Sequence, residues 1–146
     1  MKKLIFIALA AIFFYGTAHA QSTSNLFQMK EISAKDYTTF KVSDKVALYA
    51  VSFKNQYNLQ VAGHLFIPKN INRKAKNAAI IVGHPMGAVK EQSADVYASN
   101  MADRGFIALA IDLSFWGESE GSPRNAVLPD MYAEDFSAAV EFPWYP

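Results

Sequence analysis

The residues best placed for chemistry sit at the end of an apolar run. Ala78 to Val82 is short, branched and apolar, and it stops at Gly83-His84-Pro85-Met86-Gly87 before a helix-like stretch. A buried strand followed by a tight loop and a helix sets backbone N–H groups beside a ligand at the carboxyl edge of an open α/β sheet. The loop is therefore a candidate anion or oxyanion site. A second pattern, Gly117-Glu118-Ser119-Glu120-Gly121, satisfies G-x-S-x-G letter for letter. An elbow that projects a nucleophilic serine needs a strand running straight into the first glycine and a helix leaving after the second. Neither holds here, because Leu113 to Trp116 intervene and Ser122-Pro123-Arg124-Asn125 has loop composition. The flanking glutamates would also oppose negative charge on the serine oxygen. Ser119 reads as a loop residue.

The remaining candidates are few. His64 lies inside a strand-like run on the same side as Phe66, and reads as a packed or surface residue rather than a base. Asp112 and Asp135 are acids of the right type, but Asp112 closes a strand where turn-forming Asp is common and Asp135 falls on a helix face. Phe115 and Trp116 fit either a substrate pocket or core cover. The spacing of His, Asp and Glu suggests no metal site, and no cofactor is expected.

The elements that must position these residues follow from periodicity. Lys45–Phe53 alternates as a strand, Asn55-Gln56-Tyr57-Asn58 is a turn, and Leu59–Ile67 is a second strand closed by Pro68, together an antiparallel hairpin. The segment 21–30 is polar and reads as a loose leader. Ala78–Val82 has the pattern of a central strand covered on both faces. Between Ser93 and Arg104, Ala94, Tyr97, Ala98 and Met101 share a helix face, with Gly105 at the C′ position. Phe106–Ile111 repeats the strand pattern, so residues 78–111 predict two parallel strands joined by a right-handed crossover. A last helix over Met131–Phe142 places Tyr132, Phe136, Ala139 and Val140 on one side and stops at Pro143.

Composition bounds the function. Basic Met1-Lys2-Lys3, apolar Leu4–Tyr15 and Ala18-His19-Ala20 form the pattern of a secretory signal peptide over residues 1–20. The expectation is an exported protein, periplasmic or secreted, with no membrane association once the signal is removed. There is no Cys in the 146 residues, hence no disulfide framework. Without Lys2 and Lys3, the 14 basic residues become 12 against 13 acidic, which offers nucleic acid no footprint. The one basic cluster, Lys69, Arg73, Lys74 and Lys76, has no interleaved aromatics and reads as a solvated loop.

The stretches Gly83 to Gln92, Ala110-Ile111-Asp112 and Gly117 to Pro123, with Phe53–Pro68 ahead of them, resemble the first half of an α/β hydrolase, close to the dienelactone-hydrolase-like branch. The resemblance covers roughly Lys45 to Phe142. It implies an α/β fold, here a partial one: an N-terminal antiparallel hairpin plus a parallel strand-helix-strand unit in an open sheet. The domain division is then 1–20 signal, 21–44 leader and 45–146 the N-terminal portion of the hydrolase domain.

The implied activity is hydrolysis of a carboxylic ester or related acyl compound by a Ser or Cys nucleophile with His and an acid. In that family the acid and the His follow the nucleophile in chain order, and no elbow occurs before Pro146. No catalytic residue of the triad is expected in this chain, and a fragment inactive alone is the expectation. What remains is half of the oxyanion hole. Pro85 has no N–H, so the resemblance implies Met86 as the backbone donor, with Gly87 the second choice, and His84 shapes the loop. The resemblance also leaves Ala78–Val82 as an exposed apolar edge, suited to self-association. The alternative is a noncatalytic binding or self-associating protein derived from a hydrolase.

Overall fold

The computed structural model describes residues 27–144, so the expected signal peptide lies outside the described residues. Alternating and branched apolar segments build a five-stranded sheet from β1 (Phe27–Glu31), β2 (Val46–Lys54), β3 (Gln60–Pro68), β4 (Ala79–Gly83) and β5 (Ile107–Ile111), in the order β1-β2-β3-β5-β4. Three helices complete it: α1 (Ala34–Tyr37), α2 (Ser93–Asp103) and α3 (Pro129–Glu141). The hairpin β2–β3 is antiparallel in unbroken register from Val46↔Pro68 to Lys54↔Gln60. Its turn is held by Asn55, whose Oδ1 accepts from Tyr57 and Leu59 N–H at 3.1 and 3.0 Å, with Asn58 at φ +61°. β4 and β5 are parallel, as the sequence predicts.

Side-chain alternation divides the core between the two sheet faces. Ile107, Leu109 and Ile111 of β5 pack with Leu65, Ile67, Ala139 and Phe142 on the α3 side, while Ala108 and Ala110 pack with Phe66, Ala94, Ala98 and Ala102 on the α2 side. Gly63 lets β3 approach β5, since a Cβ there would stand 2.8 Å from Ala110 O.

Several expectations are corrected. The segment read as a loose leader contains β1, which pairs antiparallel with β2 from Phe27↔Phe53 to Glu31↔Tyr49. Only Phe27 and Met29 are apolar in this short strand, too few to mark it within a polar stretch, and its pairing with β2 makes it part of the sheet. β4 is not central among the described strands: it pairs with β5 alone, and its residues are only partly covered. The α2 face is rotated, burying Ala94, Asp95, Ala98, Ser99 and Ala102 and leaving Tyr97 exposed. The small Ala108 and Ala110 beneath it admit only small partners at close range. Val140, expected on the buried side of α3, is 66% exposed.

Candidate functional site

The parallel strands β4 and β5 end at the same edge, so the loops that leave them, 84–92 and 112–128, are neighbours. Loop 84–92 is shaped from both ends. His84 is buried, its Nδ1 hydrogen-bonded to Pro85 O at 2.9 Å and its Nε2 accepting from Leu113 N–H at 3.1 Å. A carbonyl can only accept and an N–H can only donate, so the ring carries its proton on Nδ1. Trp116 lies edge-on to it, with ring centroids 6.1 Å apart. Ala88 N–H donates to Pro85 O at 3.1 Å, closing a turn with Met86 and Gly87 at its tip. Gly87 has φ +81°, the value a type II turn requires at that position. Met86 is 78% exposed, and among the described residues the N–H groups of Met86 and Gly87 have no acceptor. An open backbone donor at a strand's carboxyl end is what such a loop can contribute to an oxyanion site.

The other end of the loop is fixed by a residue to which sequence reasoning assigned no role. Lys90 is fully buried, and its Nζ donates to Asp112 at 2.8 Å, Glu118 at 2.7 Å and Glu91 at 2.5 Å. Its N–H also donates to Asp112 Oδ1 at 2.8 Å. Burial pulls the ammonium's proton affinity down, but the charge of Asp112 and the hydrogen bonds to Asp112, Glu118 and Glu91 outweigh it, so the amine holds its proton well above an ordinary lysine. Asp112, read as a turn-former, is therefore a buried anchor. The available signal was an ionisable residue in a loop directly ahead of a helix; nothing local named its partner.

Ser119 does not act as an elbow. Its side chain is buried, at 2% exposure, with Oγ donating to Asp112 O at 2.7 Å and accepting from Ala62 N–H at 2.9 Å. The loop around it is self-contained: Arg124 donates to Ser119 O and Gly117 O, and Phe115 N–H to Glu120 O. Phe115 is core cover under Gly121, while Trp116 donates to Ala126 O at 2.9 Å and contacts Tyr132 Oη at 2.7 Å. Both aromatics brace the loop.

Asp135, on α3, is buried and accepts from Asn55 Nδ2 at 2.9 Å, Ser114 N–H at 2.7 Å and Ser114 Oγ at 2.8 Å, tying the helix to the hairpin turn and to loop 112–128. Desolvation raises its proton affinity above the ordinary carboxylate value, more than those donors lower it. Buried Asp95 on α2 is raised for the same leading reason, against the pull of its His64 partner. Each group therefore binds a proton more tightly folded than unfolded. The stability so contributed is fully present below the ordinary carboxylate value and is lost as pH rises through the folded values. Asp135→Asn is expected to flatten that acid-side decline, read by urea denaturation from mildly acidic to neutral pH. An unchanged slope would show that Asp135 does not carry it.

This architecture, a sheet with parallel strands whose carboxyl-edge loops are joined through His84–Leu113 and Lys90–Asp112, is part of an α/β-hydrolase fold. The α/β hydrolase GrgF from Penicillium sp. sh18 superposes with a TM-score of 0.56 at 23% identity, over 64% of this chain and 31% of that one. No family model matches the chain. An uncharacterized protein of Pseudomonas aeruginosa, PA2218, is 51% identical over 104 residues, which are 71% of this chain and 28% of that protein. Its crystal structure matches with a TM-score of 0.69 at 47% identity, over 79% of this chain and 35% of that one. The thiohydrolase aneE of Aspergillus aculeatus is 33% identical over 96 residues, 63% of this chain and 27% of that protein. The chain thus spans less than a third of the length of these curated relatives.

Proposed function

We propose that this chain is the exported N-terminal portion of an α/β hydrolase of the dienelactone-hydrolase-like branch, acting on a carboxylic ester, thioester or related small acyl compound. Its contribution is half of the oxyanion hole, a single backbone donor: Met86 N–H by first choice, Gly87 N–H by second. The observation that carries this is the turn at Pro85–Ala88, whose two tip donors have no acceptor among the described residues. His84 holds one flank through Leu113, and the Lys90–Asp112 pair holds the other. The thiohydrolase relative supports the acyl class. The nucleophile, the acid and the general base come from sequence beyond these loops, so the chain alone is inactive. Export rests on the residues 1–20 pattern; no helix among the described residues is long and apolar enough to cross a membrane.

The test is a chimera in which this chain replaces the matching segment of the Pseudomonas aeruginosa relative, assayed on short-chain esters and thioesters. Met86→Pro removes the donor, and proline suits the second position of such a turn, so the loop is kept. The expected result is a fall of about 10²–10³-fold in kcat, the usual cost of losing one oxyanion donor. Turnover insensitive to Met86→Pro, or absent in chimera and parent alike, overturns the reading. The alternative, a noncatalytic self-associating protein, has one observation in its favour: β4 pairs on one side only. Such a row of unpaired backbone groups templates a second strand. A discrete oligomer of the 146-residue chain by light scattering would support it.

A further inference from the structure

His64 brings an unsatisfied nitrogen to a cluster of charges between β3 and the start of α2. Its Nδ1 lies 2.8 Å from Asp95 Oδ2, in the first turn of α2. With Nδ1–H donating to that carboxylate, Nε2 carries the lone pair. Among the described residues Nε2 has no hydrogen-bond partner, although the ring is 1% exposed. A ring nitrogen of His64 and one carboxylate oxygen each from Glu91 and Glu118 lie within 4.8 Å of one another, and Nε2 is the one not committed to Asp95. The same glutamates flank Lys90, whose third partner is Asp112. One ammonium therefore stands among Asp95, Glu91, Asp112 and Glu118. Three carboxylates, Glu91, Asp112 and Glu118, share one ammonium, so the cluster is net negative, and the buried imidazole lone pair beside it has no donor among the described residues.

We propose that His64 Nε2, Glu91 and Glu118 bind a divalent transition-metal ion of the zinc class. Imidazole with carboxylate oxygens suits zinc and its neighbours, whereas magnesium and calcium favour oxygen ligands alone. Asp95 supplies the second-layer carboxylate that fixes the ring's tautomer and orientation, the usual support of a metal-binding histidine. Asp112 and both glutamates hold the Lys90 ammonium, and Glu118, at 65% exposure, opens the site to solvent. Sequence spacing hid this set, because its members lie in β3, in the loop before α2 and in the loop after β5. It is separate from the Met86–Gly87 donors and does not depend on the acyl-transfer reading.

Calorimetric titration of the full chain with zinc chloride tests it. Expected are saturable binding of about one ion per chain, no saturable binding of magnesium, and at least about a tenfold weaker zinc affinity in Glu118→Gln. That substitution lies at an exposed position, so it tests the ligand without endangering the fold. His64→Gln should remove binding; if that variant does not fold, Glu118→Gln decides. No saturable zinc binding by the folded chain, or equal affinity in Glu118→Gln, overturns the proposal.

Discussion

Replacing Lys90 with methionine is expected to cost about 3–5 kcal/mol of folding stability, the range for removing one partner of a buried ion pair. The side chain is fully buried, and so is its main partner Asp112. Methionine matches the length of the stem but carries no charge, so the Asp112 carboxylate would keep only the N–H groups of residue 90 and Glu118. Its charge would remain buried and uncompensated. Glu118, at 65% exposure, contributes little to this cost, because an exposed partner of an ion pair gains about 0–1 kcal/mol. Urea denaturation with unchanged slope measures the loss.

The double variant Lys90→Met with Asp112→Asn is expected to recover part of it, since the second change removes the stranded charge, with a coupling of about 0.5–3 kcal/mol. The pH dependence follows from the raised proton affinity of Lys90. A raised lysine contributes stability that is fully present below the ordinary lysine value, near pH 10.4, and is lost only as pH rises through its higher folded value. The deficit of the methionine variant is therefore constant from neutral pH to about pH 9 on that basis. A loss below about 1 kcal/mol, the scale of an exposed pair, would show that the two loops are joined by something other than this bridge.

Gly117→Ala is the second large effect. Gly117 has φ +49°, and a Cβ there would fall within the Asp112 carboxyl group. The carboxyl cannot retreat, because both oxygens are held by Lys90 and by Glu118 N–H. Left-handed backbone costs about 1–2 kcal/mol for a residue with a side chain. Overpacking adds about 1–3 kcal/mol, so the expected loss is about 2–5 kcal/mol. Gly87→Ala is the built-in comparison. Its φ of +81° carries the conformational cost, but nothing lies within 4 Å of the added Cβ, so the loss stays near the lower figure. Equal losses at the two glycines would show that the Asp112 carboxyl yields, and that it is not the fixed point from which loop 112–128 is built.

Much of the scaffold was legible in the chain because it rests on local patterns. The hairpin from Val46 to Pro68, the strand-helix-strand unit and the loop at Gly83–Gly87 follow from alternation, from short branched apolar runs and from the glycine and proline at their ends. The dismissal of Gly117–Gly121 as an elbow likewise needed only the residues on either side of it, and the buried, doubly bonded Ser119 hydroxyl agrees. β1 was not legible: the alternation of Phe27 and Met29 with Gln28 and Lys30 is too short to stand out from the polar stretch around it, and only pairing with β2 makes it a strand. The α2 face was read one step out of phase because periodicity ranks Tyr97 above Ser99, whereas the flat alanine surface of β5 accepts only the smaller residue.

The sequence by itself determined the order of elements from β2 to α3, the class of fold and a loop able to offer open backbone donors, since each depends on neighbours within a few positions. Tertiary structure alone decided what holds that loop. The Lys90–Asp112 pair spans 22 residues, the His84–Leu113 bond 29 and the His64–Asp95 pair 31. A charged or polar side chain looks solvent-facing in any local window. It becomes a buried anchor only when a distant residue of complementary charge or hydrogen-bonding capacity is brought to it, and the pairing of β4, β5 and β3 is what brings these together.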